Sequence, residues 1–347
     1  MDASSRWRRL RLLLLLMVPL VFAWFLRERY SWLPRRFELG GTVSKLAFSP
    51  DGAQLACVVN SRLVLLNLRN KQTAQTNTRF IGSVRALQFS PDGKTLVSAE
   101  GAPGGTIRLI DAKTGIQLKK LYSNWPSEGG SDIAFSPNGQ YLLGVSCPGF
   151  EVTECKPTVW DTKNYRLLWR LTEKDAIYGI SIRGIGVNEK STQVSYITSP
   201  QVLRVRDIRN GELIKTVTLT INGQGYSPPS YFLDFDFSSQ GKWIASKKWV
   251  AVNKSLAIQI WDAQGNEIQN WQTNYQNLHI LTFSPDETIL AAVDDTGIIS
   301  MWELRTGKLL RTFGQRNKGI RSLTFSPDSR TLAVALADKT VYLQRVK

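Results

Sequence analysis

Short runs in which every second side chain is apolar recur along the chain. Six of them end alike, at Leu46/Phe48, Leu87/Phe89, Ile133/Phe135, Phe235/Phe237, Leu281/Phe283 and Leu323/Phe325. A period of two puts alternate side chains on one face, so each run predicts a strand with one face buried. A turn follows each phenylalanine. Phe48-Ser49-Pro50-Asp51-Gly52 recurs at Phe89 and, with Asn138 in place of Asp, at Phe135; worn copies stand at Phe237-Ser238-Ser239-Gln240-Gly241, Phe283-Ser284-Pro285-Asp286 and Phe325-Ser326-Pro327-Asp328. Proline presets the backbone angle that opens such a turn, and Gly or Asp lets the chain reverse.

Three further β-rich runs follow each turn. Second runs include Gln54–Val59, Thr95–Ala99 and Thr331–Leu336; third runs include Thr106–Asp111, Thr158–Asp161, Ile258–Asp262 and Ile298–Glu303. Fourth runs are Ile116–Tyr122, Arg166–Leu171, Glu212–Leu219, Glu267–Gln272 and Lys308–Phe313. The phenylalanines are spaced by 41, 46, 46 and 42 residues, except that 102 separate Phe135 from Phe237. That gap predicts a seventh, degraded unit near Ile182, with Ile180/Ile182 as its first strand. Four short strands per roughly 42 residues is the signature of a propeller blade, so the expected fold is all-β, a seven-bladed β-propeller over 34–347.

The chain resembles the WD-repeat β-propeller family over about 43–347. Trp160-Asp161, Trp261-Asp262, the variant Trp302-Glu303 and the Phe-Ser-Pro-Asp-Gly turns carry the resemblance. The family's Gly-His dipeptide is absent from every unit, so its buried Trp–Ser/Thr–His–Asp network is not expected, and the blades are expected to lean on apolar packing. The last unit ends with its third run at Thr340–Val346, while an orphan run, Arg35–Leu39, precedes the first. The family's usual closure therefore implies Arg36–Leu39 as the outer strand beside Val341–Val346, which removes the open edges of the ring.

Residues 1–33 break the pattern. Arg6, Arg8, Arg9 and Arg11 precede Leu12–Leu26, fifteen uncharged residues that include Pro19. Such a helix reaches only about 22 Å, short of a hydrocarbon core of about 30 Å, unless flanking arginines snorkel and Trp7, Tyr30 and Trp32 sit at the interfaces. The run ends Ala23-Trp24-Phe25-Leu26-Arg27, bulky where a signal peptidase needs small residues. The expectation is a retained signal anchor crossing the membrane through residues 12–26; a cleaved signal peptide and a buried core helix are the alternatives. Four arginines on each side tie the positive-inside count. A short basic tail on the inner side then puts the propeller on the extracytoplasmic side of a single-pass protein.

The net charge is +16, of which +5 falls on residues 1–40 and +11 on the remainder. A basic body favours anionic surfaces, but without a clustered Lys/Arg run no specific nucleic acid is implied. A single His, His279, excludes mechanisms that need a His pair. There is no metal-ligand spacing, phosphate loop or nucleophile with a His partner, so no cofactor, metal or catalytic residue is assigned. Gly101–Gly105 reads as a hairpin loop, and Asp294-Asp295 as turn residues. Asp234 and Asp236 flank Phe235 on a first strand and supply the one carboxylate pair that a lactonase- or hydrolase-like propeller enzyme would use at its channel mouth. Against that alternative stands a non-enzymatic platform for an unidentified protein partner. Connections from fourth to first strands and from second to third share one face and vary in length. They carry Trp125 (124–132), Tyr226 (221–230), Trp249 (248–255) and Tyr275 (273–277), with Lys247, Lys248 and Lys254 placed to steer an acidic partner. Cys147 and Cys155 flank one second-to-third connection and are expected to form a disulfide, and Cys57, within a strand, a buried free thiol.

Overall fold

The computed structural model describes residues 34–101, 106–122, 128–148, 156–171, 185–199, 202–219, 235–250, 255–275, 277–314, 316 and 319–347. Among the described residues, twenty-eight strands form seven four-stranded antiparallel sheets. Blade one runs from Val43 to Arg79, blade two from Val84 to Tyr122, blade three from Glu128 to Arg170 and blade four from Ile185 to Thr218. Blade five spans Phe235–Gln272 and blade six Leu278–Gly314. Blade seven takes three strands from Ile320–Arg345 and its fourth from Arg35–Glu38. The first strand of every blade touches the first strands of both neighbours, all the way round, so the sheets form a closed ring with these strands innermost.

The closing strand is Arg35–Glu38, one residue earlier than the stretch Arg36–Leu39, and it pairs antiparallel with the third strand of blade seven. Arg35 lies opposite Leu343, Phe37 opposite Val341 and Glu38 opposite Thr340. Phe37 and Leu39 pack on Val43, Val64, Val341 and Leu343, so the seam is apolar as well as hydrogen-bonded.

The buried apolar side chains fall into seven clusters, one at each junction between neighbouring blades. This follows from alternation in strands buried on both faces, since each face of a blade meets a different neighbour. Trp160, Trp261 and Trp302 are buried at the ends of third strands. The acids beside Trp160 and Trp261 cap the next turn: Asp161 accepts from Lys163 N at 2.7 Å, and Asp262 from Gln264 N and Asn266 N at 2.9 Å. Each Trp-Asp pair thus supplies an apolar wedge for the junction and a polar cap for the turn.

The first-to-second connections are all five residues long: 49–53, 90–94, 136–140, 188–192, 238–242, 284–288 and 326–330. In six, a serine hydroxyl accepts the amide N–H five residues on at 2.9 Å. In five of those it also donates to the Asp or Asn two residues on, from Ser49 to Asp51 through Ser326 to Asp328. Blade four departs from the sequence expectation. Val187, at the end of Ile185–Val187, holds the place before the turn expected of Ile182, and Ile180 and Ile182 lie outside the described residues. The Asn188 carboxamide plays the serine's part, accepting from Thr192 N at 2.8 Å and Gln193 N at 3.0 Å.

The fourth turn residue has positive φ in every blade. It is Gly52, Gly93, Gly139 and Gly241 in four, and Ser191 (54°), Glu287 (55°) and Ser329 (58°) in three. Each exception accepts a hydrogen bond from the preceding blade's turn: Ser191 Oγ from Asn138 N (3.1 Å), Glu287 Oε1 from Gln240 N (3.3 Å) and Ser329 Oγ from Asp286 N (3.0 Å). The seven turns therefore form a belt on one face. Ser329→Ala should destabilise the fold by about 1 kcal/mol, because it keeps the strain and loses the bond, whereas Ser329→Gly should be near neutral because relief of strain offsets that loss. Equilibrium urea denaturation of the two variants checks this.

The carboxylates of this belt are acidified. The Ser49, Ser90 and Ser326 hydroxyls and local amides hold Asp51, Asp92 and Asp328 below the usual range. For Asp286, burial acts to raise the pKa, but the Lys347 ammonium and the Ser284 and Thr288 hydroxyls outweigh it and bring the carboxyl to about 2. Since these folded pKa values lie below the unfolded value of 3.8, their stabilisation is complete above it and is lost as pH falls toward the folded values. Denaturation midpoints should decline between about pH 4 and pH 2, and Asp286→Asn should flatten that decline.

Candidate interaction face

The face opposite the belt carries the connections that vary. Between the described end of a fourth strand and the described start of the next first strand the chain has four residues at 39–42 and 80–83 but fourteen at 171–184 and sixteen at 219–234, the two long stretches lying almost wholly outside the described residues. Between described second and third strands it has two residues at 60–61 and three at 295–297 and 337–339, against seven at 149–155, which lie outside the described residues. Trp125, Tyr226, Lys254, Asp234 and Cys155 lie outside the described residues.

Two of the expected loops are shorter than the sequence suggested. Blade five pairs its second and third strands as far as Val250 opposite Ser255, which puts Lys248 opposite Ala257 and Trp249 opposite Leu256. The β-prone Trp249-Val250 continues the ladder, so the connection is 251–254 rather than 248–255. In blade three the first strand already begins at Glu128, with a bulge between Gly130 and Asp132, leaving 123–127. Cys147 is a strand residue opposite Gly129, and its pairing with Cys155 falls outside the described residues. Cys57 is fully buried, which pushes its thiol pKa up and keeps it protonated.

Tyr275 is half-buried and built into its blade. Its hydroxyl shares a 2.6 Å hydrogen bond with Ser300 Oγ, its ring stands edge-on to Trp302, and its carbonyl accepts from Leu256 N at 2.7 Å. Lys247, expected to steer a partner, is buried, with Nζ donating to the Leu278 carbonyl of the next blade.

The blades do not rest on apolar packing alone. In blade two, buried Arg108 on the third strand and Glu100 at the end of the second form a bidentate pair (2.8 and 3.0 Å). Arg108 also donates to Arg79 O at 3.2 Å and lies over the Phe80 ring, while Glu100 accepts Ile81 N at 3.2 Å. In blade four, Arg206 donates to Tyr196 Oη at 2.6 Å and to Gly211 O at 2.7 Å. These pairs, in a chain that lacks the His of the family's buried network, lock second to third strands and reach a nearby turn or loop. Sequence reading missed them because Arg108 and Arg206 fall at alternating positions that read as solvated; the only signal is the burial of both neighbours.

Asp294 closes its turn by accepting from Thr296 N and Ile298 N at 2.9 Å, and Asp295 pairs with exposed His279. Among the described residues no group of three His, Cys, Asp or Glu is placed to hold a metal ion, and no helix is long and apolar enough to cross a membrane.

A closed ring of seven four-stranded blades, with uniform turns on one face and variable connections on the other, defines a repeat-built β-propeller. Residues 74–111 and 307–343 match the family model described as WD domain, G-beta repeat. The first match begins in blade one's fourth strand and the second in the turn just before blade six's, and each ends in the next blade's third strand, the same offset that the closure displays. The chain is 32% identical over 108 residues to WD repeat-containing protein WDS homolog of Arabidopsis thaliana, covering 29% of this chain and 20% of that protein. It is 30% identical over 101 residues to WD repeat-containing protein sll1491 of Synechocystis, covering 29% and 28%. With WD repeat and SOCS box-containing protein 1 of Homo sapiens it shares 32% identity over 92 residues, covering 25% and 22%. The chain thus spans between a fifth and three tenths of the length of these relatives. In two of its blades the chain matches the WD repeat, and over part of its length it is similar to proteins named for that repeat.

Glu100→Gln or Arg108→Met alone should destabilise blade two by about 3 kcal/mol, because each leaves a buried group without its partner, and the double variant should recover most of that loss. Thermal melts of the three variants measure it.

Proposed function

We propose that the protein is a membrane-tethered platform that captures a protein partner on its variable face, with the propeller on the extracytoplasmic side. The observation that carries the reading is the contrast between the two faces: seven first-to-second connections of identical length on one, and on the other stretches of two to sixteen residues between described strands, the longest lying almost wholly outside the described residues. A uniform face serves the ring, whereas variable connections on a rigid scaffold are where recognition is built. Trp125, Tyr226 and Trp249 provide aromatic anchors around blades three to five, Tyr275 fixes the blade-six edge, and Lys248 and Lys254 favour an acidic partner. Residues 12–26 form the tether, and Cys147 bridged to Cys155 ties the blade-three connection.

Crosslinking in intact membranes, followed by identification of what is attached, tests the function. The Trp125→Ala, Tyr226→Ala, Trp249→Ala triple variant should fold normally and lose the attached partner; an unchanged capture profile removes this face from consideration. A reporter fused after Lys347 should be inactive if it needs the cytoplasm. In denaturant without reductant only Cys57 should alkylate, and all three cysteines should do so after reduction.

A further inference from the structure

We propose that the propeller docks on an anionic lipid surface through its turn face, using aliphatic side chains and cations at that end of the outer strands, and so holds its variable face away from the bilayer. This inference rests on the membrane-tether reading above. The first argument is where the chain enters the ring. Arg35, paired with Leu343, lines a cleft of about 660 Å³ together with Pro50, Gly52, Pro327 and Asp328, all residues of the turn belt or its seam. Eight residues, 27–34, lie between Leu26, the end of the apolar run, and Arg35, and fully extended that span reaches at most about 30 Å. The turn-face end of blade seven is therefore the part of the ring that the tether keeps nearest the headgroups.

The second argument is independent of the tether. Ile116, Leu118, Leu167, Leu213, Ile268 and Leu309 are between 43% and 62% exposed. They belong to five consecutive blades, two to six, and each stands within the first two positions of its outer strand or just before it. That is the end adjoining the third-to-fourth turns, on the same face as the belt. On the opposite face, Ile81 is a comparably exposed aliphatic. Exposed Lys113, Lys119, Lys163, Arg166, Arg305 and Lys308 flank the aliphatic positions. Several carboxylates on this face are engaged by their own turns, Asp51 and Asp92 by serine hydroxyls and Asp111 by Thr114 Oγ1 at 2.7 Å, while Glu189 and Glu212 in blade four are exposed. Aliphatic side chains interleaved with cations are the chemistry of the interfacial zone, where short apolar groups enter the acyl boundary and each Lys or Arg gains from anionic headgroups.

The test uses the full chain reconstituted in vesicles of phosphatidylcholine and phosphatidylserine, with a benzophenone side chain in place of Leu167 or Leu309 on the turn face, or of Arg62 or Lys339 on the other. After illumination, lipid adducts at 167 and 309 should exceed those at 62 and 339 by at least about fivefold. The same vesicles are washed in alkaline carbonate. Retained chain with equal adducts on both faces, or with protein rather than lipid attached at 167 and 309, overturns the docking face and leaves the tether standing. Release of the chain by carbonate overturns the tether, and this inference with it.

Discussion

No blade of this protein has a core of its own. Every buried cluster lies between two sheets, so a blade is stable only while both neighbours are present, and the requirement passes round the ring until it reaches its own starting point. The strand Arg35–Glu38 answers that requirement by completing a blade begun at the far end of the sequence. Junctions, not sheets, are the units in which this fold is held.

The turn belt shows how a repeat tolerates erosion. Where glycine is missing at the positive-φ position, the replacing side chain finds a donor in the preceding blade, so local strain is exchanged for a link between blades. Where serine is missing, Asn188 reproduces its hydrogen bond from a different atom. The third-to-fourth turns bind neighbours in another way. Gly307 lies so close to Trp271 of blade five that a Cβ would come within 2.2 Å of the indole nitrogen, and its φ of 70° favours glycine.

The fold was legible because the repeat writes its geometry in residues with strong local preferences. Period-two runs ending in Phe-Ser-Pro-Asp-Gly identify inner strands wherever Pro or Gly survives. Blade four illustrates the limit: Asn188-Glu189-Lys190-Ser191 contains neither, so equal spacing pointed to Ile182 where the residue before the turn is Val187. The interaction face was legible only as loop length and aromatic content. Lys247 read as a surface cation, yet its ammonium is committed to a carbonyl of the next blade. Buried charges such as Arg108 escape a pattern reading because an alternating strand assigns every second residue to solvent, a rule that fails when both faces are covered.

The closing strand also determines how the ring responds to load. Inter-strand hydrogen bonds stand perpendicular to the strands they join, and the rungs from Arg35–Leu343 to Glu38–Thr340 are strung along the closing strand's own axis. A pull directed along that axis is therefore borne as shear by the whole set of rungs together, whereas a pull across it would peel them away one at a time. The seam that is weakest by covalent continuity is thus mechanically strongest along its own strand.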